Sequence, residues 1–239
     1  MSKKYTHIFF DLDNTLWDFE TNSRSAMLET FNSFKLAAFV VFEQFFEGYT
    51  KNNHLLWEAY RKNAIRKNEL TRLRFQLTFD ELGISGIDAE AMNSHYLEVM
   101  PDQKQLNSGA VEILQYLKQK SYKIAVITNG FKEVQYRKIE TSGLKTFLSG
   151  IYISELVQSA KPDRGIFEYA VKSSNAPKAQ SLMIGDDWEV DIAGAVAFGI
   201  DAVYYDGSGT NNIPETMNTA NKKRQVYRIS QLSELKLLL

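Results

Sequence analysis

The chain has 239 residues, 44% hydrophobic and 24% charged, with a formal net charge of -1. Such a chain buries a core as one large domain or two unequal ones, which excludes fibrous and disordered classes, and it carries no net field for a nucleic-acid polymer or an anionic membrane. With no cysteine there is no disulfide, thiolate metal site or cysteine nucleophile, and "MSKKY" leads into no secretory apolar stretch, so a cytoplasmic protein is expected.

The stretch "HIFFDLDNTLW" at 7–17 opens with Ile8, Phe9 and Phe10 in a row, which read as a buried strand. "DLDNTLW" follows, with Asp11 and Asp13 two residues apart, so both carboxylates leave an extended backbone on the same side. Their repulsion requires a cation, a proton or solvent. From about Phe19 to Met100 the composition is helical, predicting helices over 20–36, 41–63, 71–82 and 88–99, with "ELGISGID" as a turn and Thr71 as an N-cap. The run "KLAAFVVFEQFF" at 35–46 is too short to cross a membrane and reads as buried helix.

From about Ser108 strand and helix patterns alternate. Helix "SGAVEILQYLKQK" precedes strand "YKIAVIT", helix "KEVQYRKIETSG" precedes strand "GIYIS", helix "RGIFEYAVKSS" precedes strand "SLMIGD", and helix "VDIAGAVAFG" precedes strand "DAVYYD". Gly143 and Gly199 sit where a helix ends on a left-handed residue, and "DGSGTNNIPE" reads as a polar loop. The alternation predicts a parallel sheet with helices on both faces, to which strand one belongs. An α/β core domain of residues 1–16 and 104–239 is therefore expected, with a helical domain, 17–103, inserted in it.

Ligands of an open parallel sheet bind beyond the carboxyl ends of its strands. There this chain places Asp11 and Asp13, then Thr128 and Asn129, then Asp186, Asp187 and, one turn on, Asp191; Lys161 in "SAKPD" follows the strand "GIYIS". Singly, each has an ordinary structural use as a turn residue, a cap or a solvated lysine. Jointly, one small site would hold carboxylates, a hydroxyl and a lysine. His7, His54 and His95 are scattered without metal-ligand spacing, and the basic run "RKNAIRKNELTRLRF" reads as a solvated helix face.

"DLDNT", "ITNG", "AKPD" and "GDDWEVD", in this order, resemble the four motifs of the haloacid dehalogenase-like hydrolase superfamily, and the insertion resembles its small helical cap. The resemblance implies a Rossmann-like core of that superfamily's type, and chemistry by an aspartyl-phosphate. Asp11 would be the nucleophile, and Asp13 the general acid and then base. Mg²⁺ would bind the Asp11 carboxylate, the Asp13 carbonyl and Asp186, with Lys161 offsetting the clustered negative charge. Thr128 and the N–H groups of Asn129 and Asn14 would hold phosphate; Asp191 would orient Lys161 or a metal-bound water, with Asp187 as the alternative outer-sphere group. Superfamily dehalogenases typically lack a carboxylate two residues after the nucleophile, so Asp13 favours phosphoryl transfer.

"FFDLDNTLWDF", "LWEAYRKNAIRKNELTRLRF", "ITNGFKEVQYRKIETSGL" and "ISQLSELKLLL" together resemble the YjjG-type pyrimidine 5'-nucleotidases, with departures at Asp187, Trp188, "SELVQSAKPD" and "FKLAAFVVFEQ". A small phosphate monoester, a nucleoside monophosphate first, is the implied partner. Asn14, Asn129, Gly130, Phe131 and Trp17 are the substrate-side candidates; Phe19 and Trp57 also offer aromatic faces for a base, and Phe131 is preferred among the aromatics. A sugar- or glycolate-phosphate phosphatase is the rival within the superfamily. A phospho-accepting receiver-like module is the rival outside it, opposed by the insertion and by Asp13.

Overall fold

Continuous apolar runs become strands. The computed structural model describes residues 4–207 and 224–239. It contains β1 (His7–Phe10), β2 (Lys123–Thr128), β3 (Gly150–Ile153), β4 (Ser181–Gly185), β5 (Asp201–Tyr205) and β6 (Val226–Ile229). Among the described residues these strands form one sheet in the order β3-β2-β1-β4-β5-β6, and every neighbouring pair is parallel. Phe10 of β1 is in register with Val126 on one side and Ile184 on the other. β6 is absent from the sequence-based elements: at the sheet edge Val226 and Tyr227 are half-buried and Arg228 is exposed, so "VYRI" lacks the apolar run that betrays the inner strands. The loop expected at 206–215 lies, from residue 208 on, outside the described residues.

Two compact units result, one drawn from Met1–Phe19 and Lys104–Leu239, the other from Glu20–Gln103. In the first, Phe9, Ala125, Ile127, Met183, Ala202 and Tyr204 on one face of the sheet share a core with Phe167, Ala170 and Phe198 from helices Arg164–Ser173 and Gly194–Phe198. Successive strand residues face opposite ways, so Ile8, Phe10, Val126 and Ile184, all fully buried, belong to the other face. Helix Ala110–Gln119 packs on β2 and buries Ile113, Leu114 and Leu117. Trp17 is bridged to Asp13 and to Leu106, all three within this first unit. The predicted stops at Gly143 and Gly199 are left-handed, with φ of 76° and 103°.

The second unit comprises the rest of helix Phe19–Ser33 and helices Phe42–Arg61, Lys67–Leu82 and Ala89–Val99, around Phe31, Phe45, Tyr49, Phe75, Phe79, Met92 and Tyr96. Two expectations fail here. Thr71 is no N-cap: the third helix starts at Lys67, where the Arg66 N–H donates to Glu69 Oε2 at 2.9 Å, and Thr71 Oγ1 donates back to Lys67 O at 3.0 Å inside the helix. The run 35–46 is not one buried helix either, for a short turn at Leu36–Ala38 interrupts it. Phe39 and Val41 are then 50% and 69% exposed. The turn at 81–88 is as expected: Gly83 is left-handed with φ of 65°, and Asp88 Oδ1 accepts from the N–H groups of Glu90 and Ala91 at 2.9 and 3.1 Å. Among the described residues no helix is long and apolar enough to cross a membrane.

Candidate active site

The strand order reverses at β1, since the chain builds β2 and β3 on one side and β4, β5 and β6 on the other. That switch opens a crevice beyond the carboxyl end of β1. Asp11 leaves β1 with its N–H still donated to Ile184 O at 2.8 Å, so its backbone is held by the neighbouring strand. Lys161 Nζ donates to Asp11 Oδ1 and, at 2.6 Å, to Asp191 Oδ1. Oxygens of Asp11, Asp186 and Asp191 all lie within 4.8 Å of one another. Three carboxylates and one ammonium leave excess negative charge, and the cluster offers only hard oxygen donors, which is the chemistry of a Mg²⁺-type ion rather than of a thiolate or imidazole metal site.

The titration of these groups follows from their confinement. Burial raises the Asp11 carboxyl well above its ordinary value, with Lys161 opposing and Asp191, Asp186 and Asp13 adding to the shift. Asp186 is pushed up to about 7, first by burial and then by Asp191, against the hydrogen bond donated by Thr15 Oγ1 at 2.9 Å. Asp191 is raised by burial despite Lys161. For Lys161 burial works against the charge, but Asp11 and Asp191 outweigh it and hold the ammonium above its usual value.

Local backbone rules place these groups. The carboxylate of Asp187 caps the wide helical turn Trp188–Ala193 by accepting from the N–H groups of Glu189 and Val190, each at 3.0 Å. One turn on, Asp191 is brought back to the strand end, and its Oδ2 accepts from the Asp187 N–H at 3.2 Å. Asp191 therefore touches Lys161, while Asp187, the alternative outer-sphere group, is engaged as a cap. Gly185 permits the return: a Cβ there would lie 2.2 Å from Asp191 Oδ2.

Asp13 occupies a different environment. The turn after β1 closes with the N–H groups of Leu16 and Trp17 donating to Leu12 O at 3.0 and 2.8 Å. Asn14, left-handed with φ of 59°, donates its N–H to Trp17 O at 2.7 Å. That bond occupies the Asn14 donor expected to hold phosphate. The Asp13 carboxylate meets a second lysine, with Lys138 Nζ at 2.7 Å from Oδ1 and Gln135 Nε2 donating to Oδ2 at 2.9 Å. Gln135 Nε2 also donates to Thr128 Oγ1 at 2.6 Å. Burial lowers the Lys138 ammonium from its ordinary value, with Asp13 opposing.

Sequence reading missed Gln135 and Lys138. Their signal was a polar pair three residues apart on helix Lys132–Thr141, directly after the Thr128 strand end, between the buried Val134 and Ile139. Of the remaining candidates, Asn129 uses its side chain on the Lys161 backbone, and the Gly130 N–H donates to Ser154 Oγ at 3.2 Å. The ring of Trp17 is fully buried, with Lys138 Nζ 4.3 Å from its centroid, and Phe131 is 3% exposed. Phe19 is half-buried. Trp57 belongs to the helical unit, edge-on to Tyr60 at 5.5 Å between centroids.

Comparison with known proteins supplies an independent line. Residues 5–199 match the haloacid dehalogenase-like hydrolase family. The pyrimidine 5'-nucleotidase PynA of Streptococcus pneumoniae (strain ATCC BAA-255 / R6) is 29% identical over 216 residues, 90% of either chain. The pyrimidine 5'-nucleotidase YjjG of Escherichia coli (strain K12) is 31% identical over 198 residues, 82% of this chain and 84% of the relative. The crystal structure of the putative HAD-hydrolase YfnB from Bacillus subtilis, bound to magnesium, superposes with a TM-score of 0.84 at 26% identity and covers 99% of both chains. Since the matched span runs through all three aspartates of the cluster, both lysines and the strand ends that carry them, the chain belongs to the haloacid dehalogenase-like hydrolases and is an enzyme of their phosphatase branch.

Proposed function

We propose that the enzyme hydrolyses phosphate monoesters through an aspartyl-phosphate on Asp11, and that nucleoside 5'-monophosphates, pyrimidine ones first, are its substrates. The observation that carries the mechanism is the separation of the two aspartates. Asp11 is held by Lys161 among the carboxylates, whereas Asp13 stands apart with its own lysine and amide. That separation supports attack by Asp11 and proton transfer by Asp13.

In the first step an Asp11 oxygen forms a bond to phosphorus while the bond to the leaving oxygen breaks, and Asp13 gives that oxygen its proton. In the second, water attacks the same phosphorus, Asp13 takes the water proton, and the Asp11 carboxylate is released with phosphate. Lys161 offsets the charge on Asp11 and on the phosphoryl group throughout. Thr128 Oγ1 accepts from Gln135, which leaves its own hydrogen for a phosphate oxygen, and the Asn129 N–H is the proposed second donor. The Asp11 carboxylate, the Asp13 carbonyl and Asp186 would hold Mg²⁺, with Asp191 as a further oxygen donor beside them. Bound there, the ion supplies positive charge to the clustered carboxylates and the transferring phosphoryl group.

The nucleotide assignment is supported by the similarity to the pyrimidine 5'-nucleotidases PynA and YjjG, and a cytoplasmic address by the lack of cysteine. Among substrate-side residues Phe131 and Phe19 remain the proposed aromatic contacts; Trp17 has one ring face taken by Lys138. Phosphate release from an aryl phosphate tests the mechanism: it should require Mg²⁺, stop with chelator and be abolished by Asp11→Asn. Full turnover by the Asp11→Asn variant would overturn it. A panel of nucleotides and sugar phosphates tests the substrate class, and the nucleotide assignment fails if pyrimidine monophosphates show no kcat/KM advantage.

A further inference from the structure

Lys138 is 1% exposed, yet it bears a charge and lies on a helix that sequence reading assigned no chemistry. Its ammonium is enclosed by the Asp13 carboxylate, 2.7 Å from Oδ1, by the Trp17 ring, 4.3 Å from the centroid, and by the Phe19 ring at 5.3 Å. Replacing a buried ion pair by apolar groups is often neutral or stabilising, so stability alone does not explain a lysine here. A methionine of similar length would fill the space beneath Trp17.

We propose that Lys138 and Gln135 are positioning residues for the acid-base step, each holding one oxygen of Asp13, so that Oδ2 is the oxygen that carries the transferred proton. The inference rests on the phosphatase reading above. Lys138 occupies Oδ1 at 2.7 Å, while the single amide bond from Gln135 at 2.9 Å leaves Oδ2 a second lone pair. As the bond from phosphorus to the leaving oxygen breaks, the Oδ2 proton passes to that oxygen. The carboxylate left behind already has its counter-charge on Oδ1.

Gln135 adds a geometric link. One amide nitrogen donates to Asp13 Oδ2 and, with its other hydrogen, to Thr128 Oγ1 at 2.6 Å, so the acid and the phosphate-facing hydroxyl are set by a single side chain. A Cβ at position 130 would lie 2.8 Å from Gln135 Cδ, so Gly130 gives that side chain its room. Lys161 and Lys138 thereby divide the Asp-x-Asp pair, one lysine to each aspartate.

The test is steady-state kinetics of the full chain with Mg²⁺ on two esters, 4-nitrophenyl phosphate, whose leaving group needs no proton, and uridine 5'-monophosphate, whose alkoxide does. Because Asp13 also serves as base in the hydrolysis step common to both esters, the acid step is read from kcat/KM, which Lys138→Met should lower by about 10- to 100-fold on the nucleotide and by less than about 3-fold on the nitrophenyl ester. In an Asp13→Asn background the same substitution should cost nothing further. An equal loss of kcat/KM on both esters, or an undiminished further loss in that background, would overturn the inference. Should Lys138→Met fail to fold, Gln135→Leu, which leaves the lysine pair intact, must show the same split at about 3- to 10-fold, and its absence overturns the inference equally. Failure of the underlying reading looks different: the unsubstituted enzyme releases no phosphate from either ester, or Asp11→Asn retains turnover.

Discussion

Asn129 and Lys161 are paired like two strands of a sheet, although one partner is a side chain: Asn129 Nδ2 donates to Lys161 O at 2.9 Å, and the Lys161 N–H donates to Asn129 Oδ1 at 2.8 Å. The end of β2 thus holds the loop that brings Lys161 to Asp11. Asn129→Ala removes both bonds, each worth about 1 kcal/mol net. We expect kcat/KM to fall about 10-fold or more, with a modestly lower melting midpoint. Unchanged kinetics in a folded Asn129→Ala protein would show that other contacts place Lys161.

Gly185→Ala should be damaging out of proportion to one methyl group. Its Cβ would stand 2.4 Å from Asp191 Cγ, and that carboxylate is pinned between Lys161 Nζ and the Asp187 N–H. The side chain cannot swing aside without breaking those bonds, so a loss of about 1–3 kcal/mol in urea unfolding is expected, with weaker retention of Mg²⁺ in calorimetric titration. Wild-type stability and metal affinity together would contradict this account.

Without metal, the raised Asp186 carboxyl makes stability depend on pH with a definite sign. Between its ordinary value of 3.8 and about 7 the folded state keeps a proton that the unfolded chain has released. Stability from this group is therefore present at low pH and lost as pH rises through that window, at no more than about 1.4 kcal/mol per unit. A cation on the carboxylates competes with the proton, so Mg²⁺ should raise the melting midpoint more at pH 8 than at pH 5. Melts of chelator-treated protein with and without Mg²⁺ measure both effects; a larger Mg²⁺ shift at the lower pH would place the ion elsewhere.

In the helical unit, Arg74 is 3% exposed and gives its Nε and Nη2 hydrogens to Asn93 Oδ1 at 2.8 and 2.6 Å, beneath the rings of Tyr49, Phe75 and Tyr96. Asn93→Leu removes two hydrogen bonds from that buried charge, whose Nη1 keeps Asn53 Oδ1 at 3.4 Å, and should cost about 2–3 kcal/mol. Arg74→Met removes the charge together with its needs, so it should cost less, and adding it to Asn93→Leu should recover part of the loss. Urea denaturation of the three variants distinguishes this ordering from simple additivity.

Most strands were legible because the buried stretch of an inner parallel strand is a continuous apolar run, as "IAVI" in β2 and "LMI" in β4 are. β6 escaped because an edge strand with one neighbour tolerates Arg228 in an exposed position. The third helix begins at Lys67, four residues before the start expected at Thr71, because the long polar side chains of Lys67, Asn68 and Glu69 are accepted in a first helical turn. Phe39 and Val41 were read as buried from hydrophobicity alone, but the turn at Leu36–Ala38 exposes both.

The sequence by itself determined the architecture and where the chemistry gathers, because strand periodicity is local and the carboxyl ends of parallel strands necessarily lie at one edge. Asp11, Thr128, Lys161, Asp186 and Asp191 follow from that rule. Only the tertiary structure decided how their contacts are shared: Lys161 between Asp11 and Asp191, Asp187 used as a cap, Trp17 beneath a lysine, and Lys138 on Asp13. The reason is distance along the chain. Lys138 and Asp13 are 125 positions apart, and whether a polar residue on a helix meets solvent or an aspartate depends on how that helix is turned against the sheet, which no local pattern encodes.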